Sequence, residues 1–153
     1  VSDTPDVFTT KVVQLFCTLY GRDHRVVENG ILKDSDGTVW FSFDAKAVND
    51  DVKAYRQGKP LKVNLHKSLW AYGLFRCILH GSRRDLSTVV ALRTMGHEVV
   101  DDGIWRDNGK VMYEFDKSSD ADRDKFWEGQ DIEVKHTDLW GAMGWFRSNI
   151  HSV

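Results

Sequence analysis

The chain has 153 residues, 41% hydrophobic and 29% charged, with a formal net charge of −2. That composition suits a soluble globular unit, long enough to bury one core and too short for several. No apolar run approaches the roughly 18 residues that span a bilayer, and the first six residues are polar, so a cytoplasmic protein with no membrane partner is expected.

From Thr10 to Tyr20, apolar residues Val12, Val13, Phe16 and Leu19 recur at helical spacing and predict an amphipathic helix. A β-hairpin follows, turning at Asp34-Ser35-Asp36-Gly37, and Gly30 inside its outgoing strand predicts a bulge or an additional tight turn. The returning strand alternates, with Val39, Phe41 and Phe43 on one buried face. Asp44 then stands as a helix N-cap and Gly58 as the residue that closes the helix, between which Val48, Val52 and Tyr55 form an apolar stripe. A short extended piece, Leu61-Lys62-Val63, leads to a last helix from Lys67 to His80.

The second half reads the same way. Helical spacing returns over Asp85 to Thr94; His24 through Asp34 is echoed by His97 through Asp107; Asp107-Asn108-Gly109 marks the second hairpin turn. Val111, Tyr113 and Phe115 take the places of Val39, Phe41 and Phe43, Asp116 and Gly129 those of Asp44 and Gly58, and Ile132-Glu133-Val134 leads to a helix from Thr137 to Ile150. Self-similarity at this period predicts an α+β fold of two tandem α-β-β-α-β-α repeats, residues 8–81 and 82–153, packed with pseudo-twofold symmetry into one unit. Trp70, Phe75, Trp140 and Phe146 are expected to be buried between or beneath the sheets, and Cys17 and Cys77 to be reduced, buried small hydrophobes.

Phe41-Ser42-Phe43-Asp44, Tyr113-Glu114-Phe115-Asp116, Gly96-His97 and Val63-Asn64 form an ordered set that resembles a small uncharacterised domain family of bacterial and phage genomes. The resemblance covers each repeat nearly end to end. It implies a prokaryotic or phage setting and no particular activity.

The six histidines fall into three matched pairs, His24/His97, His66/His136 and His80/His151, without the spacing of a metal motif, and are read as structural. No catalytic residue, metal or cofactor is assigned. His66-Lys67-Ser68 and His80-Gly81-Ser82 spell the fragment used by phosphodiesterases that hold phosphate between His/Ser pairs. The second-half counterpart His136-Thr137-Asp138 puts an acid in the hydroxyl's place and makes that enzyme a third choice. Asp102, Glu114 and Asp116 near the second hairpin lack the lysine of a nuclease cluster.

Charge is split between the halves. Residues 1–80 carry 11 basic and 9 acidic side chains, residues 81–153 carry 10 and 14, and the stretch from Lys59 to Arg84 holds six Lys or Arg and no acidic residue. Arg76 with His80, and Arg147 with His151, are four residues apart on one helix face. With Lys59, Lys62, Lys67, Arg83 and Arg84 they suggest a surface for phosphates, so a non-catalytic binding protein engaging a nucleic acid or nucleoprotein is the first expectation. The alternative is a protein-binding inhibitor of a host defence protein, using Trp105, Trp127 and Trp145, where the first half has Leu32, Arg56 and Leu74.

Overall fold

A computed structural model describes residues 6–80 and 87–152, with the backbone alone at His80, Ser87 and 149–152. In chain order the first half contains β1 (Val7–Thr10), α1 (Val13–Gly21), β2 (Val26–Lys33), β3 (Val39–Asp44), α2 (Ala45–Arg56), β4 (Lys62–Asn64) and α3 (Leu65–His80). The second contains α4 (Ser87–Thr94), β5 (Val99–Asp107), β6 (Lys110–Phe115), a 3-10 turn at Lys117–Ser119, α5 (Asp120–Trp127), β7 (Glu133–Lys135) and α6 (His136–Ser152). The fold is mixed α+β, and the order α-β-β-α-β-α occurs in both halves. Strand β1 is an addition to the expected unit: Thr10 belongs to it, and the helix begins three residues later than its apolar spacing suggests.

Strand alternation places the core. Val39, Phe41 and Phe43 of β3 are buried, and Phe41 stacks on Phe16 of α1 with ring centroids 3.7 Å apart. β3 is the middle strand of the sheet β1-β3-β2, whereas among the described residues β6 pairs with β5 alone. The hairpin turns differ as their sequences do. Asn108 (φ 50°) and Gly109 (φ 81°) make a two-residue turn with two left-handed residues. In the first hairpin Asp34 holds a longer loop by accepting from the N–H groups of Asp36 and Thr38 and from the Trp40 indole.

Gly30 and Gly103 mark bulges. Between Val26 and Ile31 of β2 five steps answer two on β3, and the same mismatch recurs between Val99 and Ile104 of β5 against β6. Asn29 and Asp102, with φ of 58° and 57°, turn the chain there, and the following glycines are buried because other backbone lies against them.

The halves meet through an antiparallel ribbon of β4 and β7, in which Val63 pairs with Val134, Lys62 with Lys135 and Asn64 with Glu133. Leu65 N–H donates to Ile132 O (2.8 Å) and His136 N–H to Leu61 O (2.7 Å), lengthening the ladder at both ends. One set of buried side chains runs through both halves, from Phe16 and Phe41 to Leu139 and Phe146.

Ribbon and helix starts keep a constant spacing of 71 residues between the halves: Lys62 with Glu133, Leu65 with His136. His66 and His136 are therefore one position out of step, as are Trp70 and Trp140. Trp70 lies beside Gly141 in that alignment, is 44% exposed, and stacks on Tyr20, while Trp140 donates its indole N–H to Thr18. Trp70 is thus not buried, and neither is Cys77; Cys17 is, and burial pushes its thiol pKa well up.

Candidate binding surfaces

Three regions gather chemistry outside the core. The first is the outer face of the ribbon. Because side chains alternate across a strand, Val63 and Val134 face inward and Lys62, Asn64, Glu133 and Lys135 face out. Lys62 and Lys135 stand directly opposite each other. A cleft of about 470 Å³ opens beside them, lined among others by Arg22, Asp23, Lys67 and Asp131. Several of these charges are already matched: Lys67 pairs with Asp23, Asn64 donates to Asp131, and Arg22 reaches both Asp51 (2.7 Å) and the carbonyl of Lys62 (2.8 Å).

The second region is the seam behind the ribbon. His24 Nε2 lies 2.7 Å from Asp51 Oδ2, and His97 Nε2 lies 2.6 Å from Asp122 Oδ2, so in each half the loop after the first helix is tied to the middle helix by the same pair. Burial opposes ionisation of Asp51, but the Arg22 and His24 contacts outweigh it and hold its pKa below the ordinary value. The ring of His66 in α3 stacks on Phe126 in α5 (4.4 Å), and His136 in α6 lies against Tyr55 in α2 (5.3 Å), so each closing helix begins on the other half's middle helix.

His136 is buried and its Nδ1 accepts from the N–H of Leu61 (2.9 Å), which requires that nitrogen to be unprotonated. Burial lowers its pKa, and the charge of Arg22 lowers it further. A histidine with a depressed folded pKa binds a proton more readily when unfolded, so its contribution is complete above the unfolded value of about 6.5 and is lost as pH falls toward the folded one. Urea unfolding at pH 7.5 and 5.5 is expected to show stability falling with pH, and His136→Asn, which keeps an acceptor near the Nδ1 position, is expected to flatten that part of the fall. An unchanged slope in the variant would assign the pH dependence elsewhere.

The third region is the second hairpin. Trp105 of β5 pairs across the ladder with Met112 of β6, and both are exposed, at 41% and 39%. Their counterparts Leu32 and Trp40 also pair, but there Trp40 is half-buried and tied to Asp34. The edge of β6 away from β5 carries no strand among the described residues; the matching edge of β3 is covered by β1, which runs antiparallel from Val7 opposite Asp44 to Thr10 opposite Phe41. A groove of about 290 Å³ lies along the bare edge, lined by Val89, Leu92, Tyr113, Phe115 and Arg123 among others.

Against these regions the expected site residues separate. Lys62 and Lys67 line the cleft, and the exposed Lys59 precedes the ribbon. Arg76 lies eleven residues into α3, about 16 Å along its axis from the ribbon. Arg147 donates to the hydroxyl of Tyr72 (3.1 Å), joining α6 to α3. Arg76 and Arg147 therefore do not join the lysines in one phosphate surface: Arg147 takes part in packing between closing helices, and the Arg76 Nε is buried with no hydrogen-bond partner among the described residues. Arg83 and Arg84 lie outside the described residues, as do the side chains of His80 and His151.

Of the tryptophans, Trp105 faces outward on the hairpin. Trp127, though 63% exposed, donates to Thr88 and lies under Arg123, pinning α5 to α4. Trp145 is half-buried beside Tyr113, with Arg93 over its ring, and belongs to the core. The His66/Ser68 fragment does not form a phosphate cradle, since the fully buried Ser68 donates to Cys17 O and His66 is stacked on Phe126. Asp116 accepts from Ser118 N–H as a cap, and among the described residues no three His, Cys, Asp or Glu side chains gather where they would hold a metal.

Asp51 and Asp122 went unread in the sequence, although each sits at the same place in its half's middle helix as a matched histidine demands. Comparison of the chain with protein-family models, curated proteins and solved structures finds no match.

Proposed function

We propose that the chain is an internally duplicated, non-catalytic binding protein that captures a protein partner through its second half. The duplication reading takes residues 8–81 and 82–153 as two copies turned about a pseudo-twofold axis between Val63 and Val134. It is supported by the common element order, the paired bulges, the two His–Asp ties and a ribbon whose central pair consists of residues 71 apart. Divergence between the copies then marks the working surface.

One observation carries the functional reading: Trp105 and Met112, large and apolar, face outward side by side on a sheet face. Exposed aromatic and methionine side chains at such a place are anchors for a partner's apolar pocket. Tagged protein is expected to capture a partner from host extract that survives nuclease treatment and falls at least about tenfold with Trp105→Ser, the loss typical of an anchoring aromatic. Undiminished capture by Trp105→Ser would reject the reading.

A second reading rests on Lys62 and Lys135. Like charges directly opposite on a ladder repel, and a phosphate between them relieves that repulsion. Binding of nucleic acid to the ribbon, with Lys59 and Lys67 beside it, predicts capture that nuclease abolishes, that weakens steeply with salt, and that fails in Lys62→Ala with Lys135→Ala.

A further inference from the structure

We propose that β6 pairs edge to edge with β6 of a second copy of this chain, in antiparallel register centred on Met112, joining two hairpins into a four-stranded sheet. This goes beyond the capture of a foreign partner, although it draws on the same exposed face. The backbone parity comes from the turn. Asp107 and Lys110 flank a two-residue loop and so form a hydrogen-bonded pair, and alternation along the antiparallel ladder turns the N–H and C=O groups of Lys110, Met112 and Glu114 toward β5. The groups of Val111, Tyr113 and Phe115 are left at the other edge, on which no strand lies among the described residues.

In the first half the same parity is satisfied by β1, with Thr10 opposite Phe41 and Phe8 opposite Phe43, so an antiparallel strand is what this kind of edge accepts in this molecule. An edge left open in this way is a template for pairing.

The side chains select the occupant and the register. With Val111 of one copy bonded to Tyr113 of the other, Met112 faces its own counterpart, and Lys110 faces Glu114 at both ends of the pairing. Both Lys110 and Glu114 are exposed, on the outer face that also carries Met112. The two opposite-charge pairs occupy non-hydrogen-bonded positions, where side chains approach most closely. Across the joined sheet Trp105, Met112 and their two counterparts form one continuous apolar row on the outer face, with the two Met112 side chains against each other at its centre.

Sedimentation analysis of the full chain from about 1 to 500 μM is expected to show a monomer–dimer equilibrium. Lys110→Glu and Glu114→Lys each turn both attractive pairs into repulsive ones and are expected to weaken the dimer about tenfold or more. Mixing the two variants makes one all-acidic and one all-basic edge, so a heterodimer at least as tight as the wild-type dimer is expected.

A wild type that stays monomeric throughout, or a dimer indifferent to either charge reversal, overturns the proposal, and so does a mixture that fails to associate. Both substitutions lie on exposed positions, and circular dichroism verifies that the variants are folded. A monomeric wild type that still captures a partner through Trp105 removes the dimer and leaves the functional reading intact. A dimer with no Trp105-dependent capture does the reverse.

Discussion

Phe41→Ala is expected to destabilise the protein by about 3–5 kcal/mol, a large part of the roughly 5–15 kcal/mol available to a domain of this size. Phe41 has no exposure, lies parallel to the Phe16 ring at 3.7 Å and also meets Phe75, so its removal leaves a cavity that a β-sheet on one side and α1 on the other are slow to close. Its counterpart Tyr113 is half-buried against Trp145 and Phe146, and Tyr113→Ala is expected to cost about 2 kcal/mol, in keeping with the smaller area withdrawn from water. The difference is read by denaturant unfolding of both variants. Equal losses would mean that the two hairpins bear equally on the core, against the burial of β3 and the openness of β6.

The second large effect concerns Gly30. A methyl group built there would lie 2.6 Å from Val27 O and 2.8 Å from Ser42 O, both backbone atoms, one in the bulge itself and one on the neighbouring strand. Neither moves without breaking the ladder that holds β2 to β3. Gly30→Ala is therefore expected to cost about 3 kcal/mol, whereas Gly58→Ala, where φ is +74° and the space is open, is expected to cost about 1 kcal/mol through backbone strain alone. Thermal unfolding of the pair separates contact from conformation, and a loss at Gly30 no greater than at Gly58 would show the bulge to be pliable.

Much of the fold was legible because local chemistry and global placement agree. Asp44 accepts from Lys46 N–H where a cap was expected; Gly58 and Gly129 take positive φ at helix ends; the bulge glycines sit where the strand pattern breaks. Strand β1 was not legible, since four residues with one buried side chain carry no alternation worth reading, and its partner lies more than thirty positions away. The match of His66 with His136 differs by one residue from the spacing of the helix starts. Matching by residue type favours like on like, whereas the ribbon register puts Leu65 and His136 in the same place, and only backbone pairing reveals that.

Helical spacing likewise gave no sign that the Arg147 guanidinium would be taken up by Tyr72 of another helix. Of the tryptophans singled out because they replace Leu32, Arg56 and Leu74, Trp105 is exposed, while Trp145 was drawn inward by a helix face whose partner the sequence did not show.

The ribbon at the junction has a consequence for synthesis. Val63 and its neighbours leave the ribosome about seventy residues before Val134 does, an interval of roughly 4–14 seconds at ordinary elongation rates. During that time β4 has been made but the strand that completes the ribbon has not. A pause in elongation after the second ribbon strand leaves that interval unchanged, whereas a pause between the two strands lengthens it.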